Sequence, residues 1–102
     1  MRNRLIDITE GSHPVLARHA KLRFDETRQR WVILVPERVL APDDIAVEIL
    51  QLCDGVRSVD AIIDTLAEKY VADRVLIATD VIAMLKDLAE KGFLAEAQDT
   101  KS

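Results

Sequence analysis

Two histidines, one cysteine and a pair of adjacent aspartates are the side chains in this sequence that could do chemistry. His13 and His19 lie six residues apart, with no cysteine or acidic triplet beside them to complete a metal site or a catalytic pair. Cys53 is expected on the apolar face of a helix, where a free cysteine behaves as a small buried hydrophobic residue. Asp43 and Asp44 would point about 100° apart on a helix, which suits helix capping better than acid–base catalysis. The sequence therefore predicts no catalytic residue.

Motifs that bind phosphate groups, nucleotides or catalytic zinc are missing from the sequence. It contains no GxGxxG, GxxxxGK[ST] or HExxH, and it has only three glycines, which argues against a phosphate-binding loop. We therefore expect no metal site, no cofactor and no enzymatic activity from this chain alone.

The composition predicts a small acidic domain in a reducing compartment. The chain has 102 residues and a net charge of −4, and residues 31–102 carry seven Lys and Arg against fourteen Asp and Glu. That balance argues against nucleic acid as the main partner. No stretch approaches the about 20 apolar residues that span a bilayer, and the N-terminus lacks the apolar segment of a signal peptide. The single cysteine cannot form an internal disulfide. We expect a cytoplasmic protein without membrane contact.

The first half of the chain predicts an N-terminal arm followed by three strands. Residues 1–19 show no sustained hydrophobic period. The segments KLRFD and RWVILV predict a β-hairpin with a loop over residues 26–29. Residues 38–41 predict a third, very short strand between Pro36 and Pro42. Because proline removes a backbone donor, this strand is expected at an edge of the sheet.

Three helices are predicted after Pro42. The first is expected to be capped by Asp43 and to end at Gly55, the second to be capped by Ser58, and the third to end at Lys91 and Gly92. The apolar residues expected to face the core are Ile45, Ile49, Leu52 and Cys53 in the first helix, Val59, Ile62, Ile63, Leu66, Ala67 and Tyr70 in the second, and Ile77, Val81, Met84, Leu85 and Leu88 in the third.

The order of the elements predicts an α+β fold, in which a small N-terminal antiparallel sheet of three strands precedes three helices. This order is similar to a winged helix-turn-helix architecture, so a DNA-binding regulator is the alternative function. The third helix argues against it, because residues 74–91 have no net charge and contain no Asn or Gln to read base edges.

An exposed edge strand points instead to peptide binding. Its backbone N–H and C=O groups can pair with an added strand, and the third helix would supply a groove for side chains. The sequence by itself thus favours a binding module over an enzyme.

Four motifs, read in order, carry a resemblance to a known family. They are RFD at residues 23–25, WVILVPE at residues 31–37, EILQLCDG at residues 48–55, and VDAIIDTL at residues 59–66. Over roughly residues 14–94 the chain resembles PqqD, the pyrroloquinoline quinone (PQQ) biosynthesis protein D, one of the recognition elements used to make ribosomal peptide products.

The resemblance implies a non-catalytic chaperone that binds the precursor peptide PqqA and presents it to PqqE, a radical SAM enzyme. It implies a peptide-recognition domain over residues 20–95, a C-terminal tail over residues 96–102, and a peptide lying along the third strand against the third helix. The oligomeric state, a homodimer included, is left open by the sequence. The residues that the resemblance assigns to the peptide are Arg38, Val39, Leu40, Ala41, Ile77, Val81, Met84 and Leu85.

Overall fold

The computed structural model describes residues 3–4 and 8–97 of the chain. Within these residues the fold is α+β, with two small antiparallel sheets and three helices. The elements in chain order are β1 (Asn3–Arg4), β2 (Pro14–Leu16), β3 (Lys21–Asp25), β4 (Arg30–Val35), β5 (Arg38–Leu40), α1 (Asp44–Leu52), α2 (Val59–Tyr70), α3 (Arg74–Glu90) and β6 (Leu94–Glu96).

The sheet β3–β4–β5 is the one predicted from the sequence. β3 and β4 pair from Lys21 opposite Leu34 to Asp25 opposite Arg30, and the turn between them covers residues 26–29. Ile33 of β4 is almost fully buried and belongs to the hydrophobic core. The predicted hairpin is confirmed, and β5 lies at an edge of this sheet as expected.

A second sheet joins the two ends of the chain and was not predicted. β6 lies between β1 and β2, and the backbone N–H of Val59 donates to the Ser12 carbonyl at 2.8 Å. The expectation of one three-stranded sheet is therefore corrected to two sheets. Strands of two or three residues are too short to display a period of two, and their partners are far apart in the sequence. The proposed domain boundaries at residues 19 and 95 stay predictions.

α1 begins as predicted, ends earlier, and buries a face shifted from the predicted one. The Asp43 carboxylate accepts the N–H of Ala46 at 2.8 Å, which confirms the cap. The helix ends at Leu52 rather than Gly55, and Ile45 is 63% exposed, so its predicted place in the core is wrong. Ile49 and Cys53 are buried as predicted, and Ala46, Val47 and Leu50 are buried as well. Because α1 is apolar at most positions, several faces satisfy the helical period.

α2 follows its predicted pattern closely. The Ser58 hydroxyl accepts the N–H of Ala61 at 3.1 Å, which confirms the cap. Val59, Ile62, Ile63 and Leu66 are buried as predicted, whereas Tyr70, at the end of the helix, is 53% exposed.

α3 buries Val81, Leu85 and Leu88 and ends at the predicted glycine. Gly92 has a φ of 84°, which a residue with a Cβ rarely adopts. The N–H of Gly92 donates to Ala89 O and that of Phe93 to Leu88 O, each at 3.0 Å. This pair of bonds is the Schellman ending of a helix.

Val71, directly after α2, has φ and ψ of 49° and is 92% exposed. A β-branched residue in this left-handed conformation costs about 1–2 kcal/mol. Glycine removes this cost, but its larger conformational entropy in the unfolded state offsets about half of the stabilisation. We expect Val71→Gly to raise the free energy of unfolding by about 0.5–1 kcal/mol, measured by urea denaturation. Val56→Gly is the control, because Val56 is 81% exposed but has no positive φ. An equal gain from both variants would contradict the explanation.

Candidate functional site

β5 is a three-residue strand whose outer edge is unpaired in the sheet β3–β4–β5. Leu40 pairs with Ile33, Val39 with Leu34, and Arg38 with Val35. Side chains alternate along a strand, so Arg38 and Leu40 share the face of Ile33, which is the face turned toward the core. Val39 lies on the opposite face and is 52% exposed.

A groove of about 370 Å³ lies between β5, the start of α1 and the second half of α3. We call it the β5 groove. Its side chains come from both sheet and helices and are largely apolar. The lining residues are Ile33, Arg38, Leu40, Ala41, Pro42, Asp43, Ala46, Met84, Asp87, Leu88, Lys91 and Phe93.

Most charges along the β5 groove are already compensated. Lys91 Nζ lies 2.9 Å from Asp87 Oδ2, and the Asp43 carboxylate caps α1. Arg38 forms no ion pair with any residue in the described ranges. Its guanidinium is therefore free to bind an acidic group from outside the chain.

The structure brings half of the predicted site residues together in the β5 groove and separates the others. Arg38, Leu40, Ala41 and Met84 line the groove. Ala41 follows β5 instead of belonging to it, so the strand is one residue shorter than predicted. Val39 lies on the other side of the sheet with Arg23 and Val32.

Three predicted residues of α3 lie elsewhere. Leu85 is fully buried in the hydrophobic core. Ile77 and Val81 line a different cavity, between the three helices. Their assignment to a peptide stays a prediction.

Several groove residues were not predicted, although one sequence signal could have found part of them. Leu88 and Lys91 follow Met84 at i+4 and i+7 and so lie on the same face of α3. Pro42, Ala46 and Phe93 reach the groove only through the packing of three separate elements.

The described residues contain no group of His, Cys, Asp and Glu side chains that could hold a metal ion. His13 Nδ1 lies 3.9 Å from a Glu96 oxygen. The Cys53 thiol donates to the Ile49 carbonyl at 3.2 Å, and its burial raises the pKa of the thiol to about 12. A thiol with that pKa is protonated at neutral pH, so Cys53 is not an activated nucleophile.

The cations of α3 are arranged unlike those of a phosphate-binding helix. The Arg74 guanidinium contacts Asp60, Asp64 and Glu10, and the hydrogen bond to Asp64 is the main cause that raises its pKa. Lys91, directly after the helix, pairs with Asp87. Among the described residues, Lys86 is therefore the cation of α3 that forms no ion pair. Such a helix offers little positive charge to DNA.

In the described part of the chain, no helix is long and apolar enough to cross a membrane.

Comparison with known proteins identifies the family of this chain. The chain is 76% identical over 99 residues to the "PqqA binding protein" of Rhodopseudomonas palustris strain HaA2, covering 97% of each chain. It is 74% identical over 100 residues to the protein of the same name from strain BisB5, covering 98% of each.

A solved structure shares the fold. It is the solution NMR structure of the PqqD truncation of Methylobacterium extorquens PqqCD, described as a functional and stand-alone recognition element for ribosomally synthesized and post-translationally modified peptides (RiPPs). The TM-score is 0.72 at 41% identity, over 86% of this chain and 94% of that one. Residues 30–94 match the sequence profile of the family described as coenzyme PQQ synthesis protein D. This chain therefore belongs to the PqqD family.

Proposed function

We propose that this chain is a non-catalytic adaptor of PQQ biosynthesis that binds the precursor peptide PqqA and presents it to the radical SAM enzyme PqqE. The peptide would add as a strand along the outer edge of β5 and place side chains in the β5 groove. One observation carries the proposal: an unpaired strand edge borders an apolar groove that a helix closes on its other side. The relatives named PqqA binding proteins support the same role.

The shortness of β5 makes the groove the main source of affinity. Alternate residues of an antiparallel strand bond to each neighbour, so a three-residue strand offers few outward N–H and C=O groups. Each backbone hydrogen bond contributes about 1 kcal/mol net, whereas ordering the peptide costs about 2–5 kcal/mol. Buried apolar side chains of the peptide, at about 1.5–3 kcal/mol each, must therefore supply most of the net binding free energy. We expect micromolar affinity.

The proposal has consequences for the remaining predictions. An adaptor needs no catalytic residue of its own, and the radical chemistry would belong to the partner enzyme. The winged helix-turn-helix description, the cytoplasmic location, the recognition domain over residues 20–95 and a homodimer stay predictions.

Calorimetric titration with PqqA, together with NMR of the labelled protein, tests the proposal. We expect saturable binding and amide shifts concentrated in β5, in the start of α1 and in the second half of α3. Shifts confined to residues 8–20, or no heat of binding, would contradict it.

Arg38 tests the electrostatic part of the site. We expect Arg38→Glu to weaken PqqA binding about three- to tenfold and to reduce its dependence on salt, because an exposed charge at the rim contributes modestly. Arg23→Glu is the matched control, since Arg23 is exposed on the opposite face of the same sheet. Equal losses from both variants would indicate a general charge effect instead of a contact at the β5 groove.

A further inference from the structure

Each of the three helices exposes a large apolar side chain near one of its ends. Ile45 at the start of α1, Tyr70 at the end of α2 and Leu76 at the start of α3 are 63%, 53% and 65% exposed. Val71 and Val75, beside them in the sequence, are more exposed still. A single exposed apolar side chain is ordinary on a protein surface, but Ile45 and Tyr70 line the same cavity.

The cavity has a volume of about 220 Å³. We call it the three-helix pocket. Its apolar walls are formed by Ile45, Ile49, Leu66, Tyr70, Ile77 and Val81. Sites for cofactors and other small molecules usually measure about 300–1,000 Å³, so this pocket suits a single inserted side chain better than a free ligand.

The first half of α3 is more apolar than its own fold requires. Val81, Leu85 and Leu88 supply the buried face of the helix, yet the sequence RVLIA at its start places apolar residues on every side. A helix that is apolar all round is normally covered on all sides. Val75 faces a different cavity, and Leu76 is open to solvent, so this end of α3 exposes more apolar surface than the fold itself covers.

Two carboxylates border the pocket, and an ion pair compensates the charge of one of them. Glu48 and Asp80 line it, and no Lys or Arg does so. The Glu48 carboxylate accepts hydrogen bonds from Lys69 and Tyr70, and these bonds, led by the one from Lys69, lower its pKa. Asp80 forms no ion pair with any residue that the structure describes. The complementary partner is an apolar side chain with a lysine or arginine next to it.

The three-helix pocket shares no lining residue with the β5 groove. A molecule bound at one site therefore leaves the walls of the other unoccupied. Ile77 and Val81, which were predicted to contact the peptide, line the pocket, so the two sites use different parts of α3.

We propose that the three-helix pocket docks a second protein, which inserts an apolar side chain beside Ile45 and places a lysine or arginine against Asp80. This inference rests on the proposed function, because an adaptor must hold its peptide and its enzyme at the same time. The occupant is then the enzyme that receives the peptide, and different parts of α3 hold the two partners.

Separate titrations of PqqE and of PqqA into the same variants test the inference. Ile45→Lys and Asp80→Lys each add a lysine at the pocket, and Val56→Lys and Glu26→Lys add one at exposed positions away from it. We expect the two pocket variants to weaken PqqE binding at least about tenfold and to leave PqqA affinity unchanged. The two controls should alter neither, and circular dichroism should show that all four variants are folded.

Other results of these experiments would overturn the inference or assign the pocket to a different partner. Unchanged PqqE affinity in both pocket variants would overturn the inference while leaving the peptide site intact. Loss of PqqA affinity in these variants would also overturn it, because the peptide would then reach the pocket. Sedimentation of the unchanged chain as a dimer that Ile45→Lys dissociates, with PqqE binding retained, would assign the pocket to a second copy. Failure of the unchanged chain to bind PqqE would overturn both this surface and the presentation step.

Discussion

Leu85→Ala is expected to lower the free energy of unfolding by about 2–5 kcal/mol, the usual cost of removing a fully buried leucine side chain. Leu85 has no solvent exposure and belongs to the same core cluster as Ile33, Ile62 and Val81. Truncation would leave a cavity that these neighbours fill only partly. Urea denaturation followed by circular dichroism measures the change.

Leu76→Ala is the matched control, because it is the same substitution on the same helix at a position 65% exposed. We expect its effect to stay within about 0.5 kcal/mol, as for other surface changes. The pair also tests the role of Leu85, which the family resemblance assigned to the peptide. Leu85→Ala should weaken PqqA binding only as far as it unfolds the chain. Full stability combined with lost binding would return Leu85 to the binding site.

The sequence could predict those elements whose hydrophobic pattern fits only one type of secondary structure and one buried face. α2 has one clear apolar face, and its core residues Ile62, Ile63 and Leu66 are buried as predicted. The hairpin of β3 and β4 is equally well defined by two alternating segments and a polar turn. Asp43, Ser58 and Gly92 could be predicted because each fills a position that helix ends require.

Other elements could not be predicted because their structure depends on distant contacts. β2 and β6 are three residues each and exist through their pairing across the length of the chain. α1 and the first half of α3 are apolar on more than one side, so the sequence does not show which face is buried. That ambiguity misplaced Ile45 in the core.

The candidate site was predictable to the extent that it depends on one strand. Pro36 and Pro42 pointed to a short strand at an edge, and β5 is such a strand. The groove beside it needs α1 and α3 to pack against the sheet at a given angle, and no periodicity encodes that angle. Met84 was assigned to the peptide by the family resemblance and lines the groove, whereas Ala46 and Phe93 enter the groove only through this packing.

Met84→Asp is expected to weaken PqqA binding at least about tenfold, the largest effect that we expect at the binding site. Met84 is half-buried and lines the β5 groove beside Leu88. A carboxylate there would have to lose its hydration when an apolar peptide side chain enters, and no described cation close to it is free apart from Arg38. Because the groove supplies most of the affinity, this loss should exceed that from Arg38→Glu. Calorimetric titration with PqqA measures it.

The neighbouring substitution Ala83→Asp separates a groove effect from a helix effect. Ala83 is exposed and lines a different face of α3, with Thr79 and Ile82. Both variants place one new carboxylate at adjacent positions of the same helix, so their effects on the helix and on net charge should match. Met84→Leu should retain binding, since it keeps apolar volume in the groove. If Ala83→Asp weakens PqqA binding as much as Met84→Asp does, the peptide does not use the β5 groove, and strand addition at β5 would lose its main support.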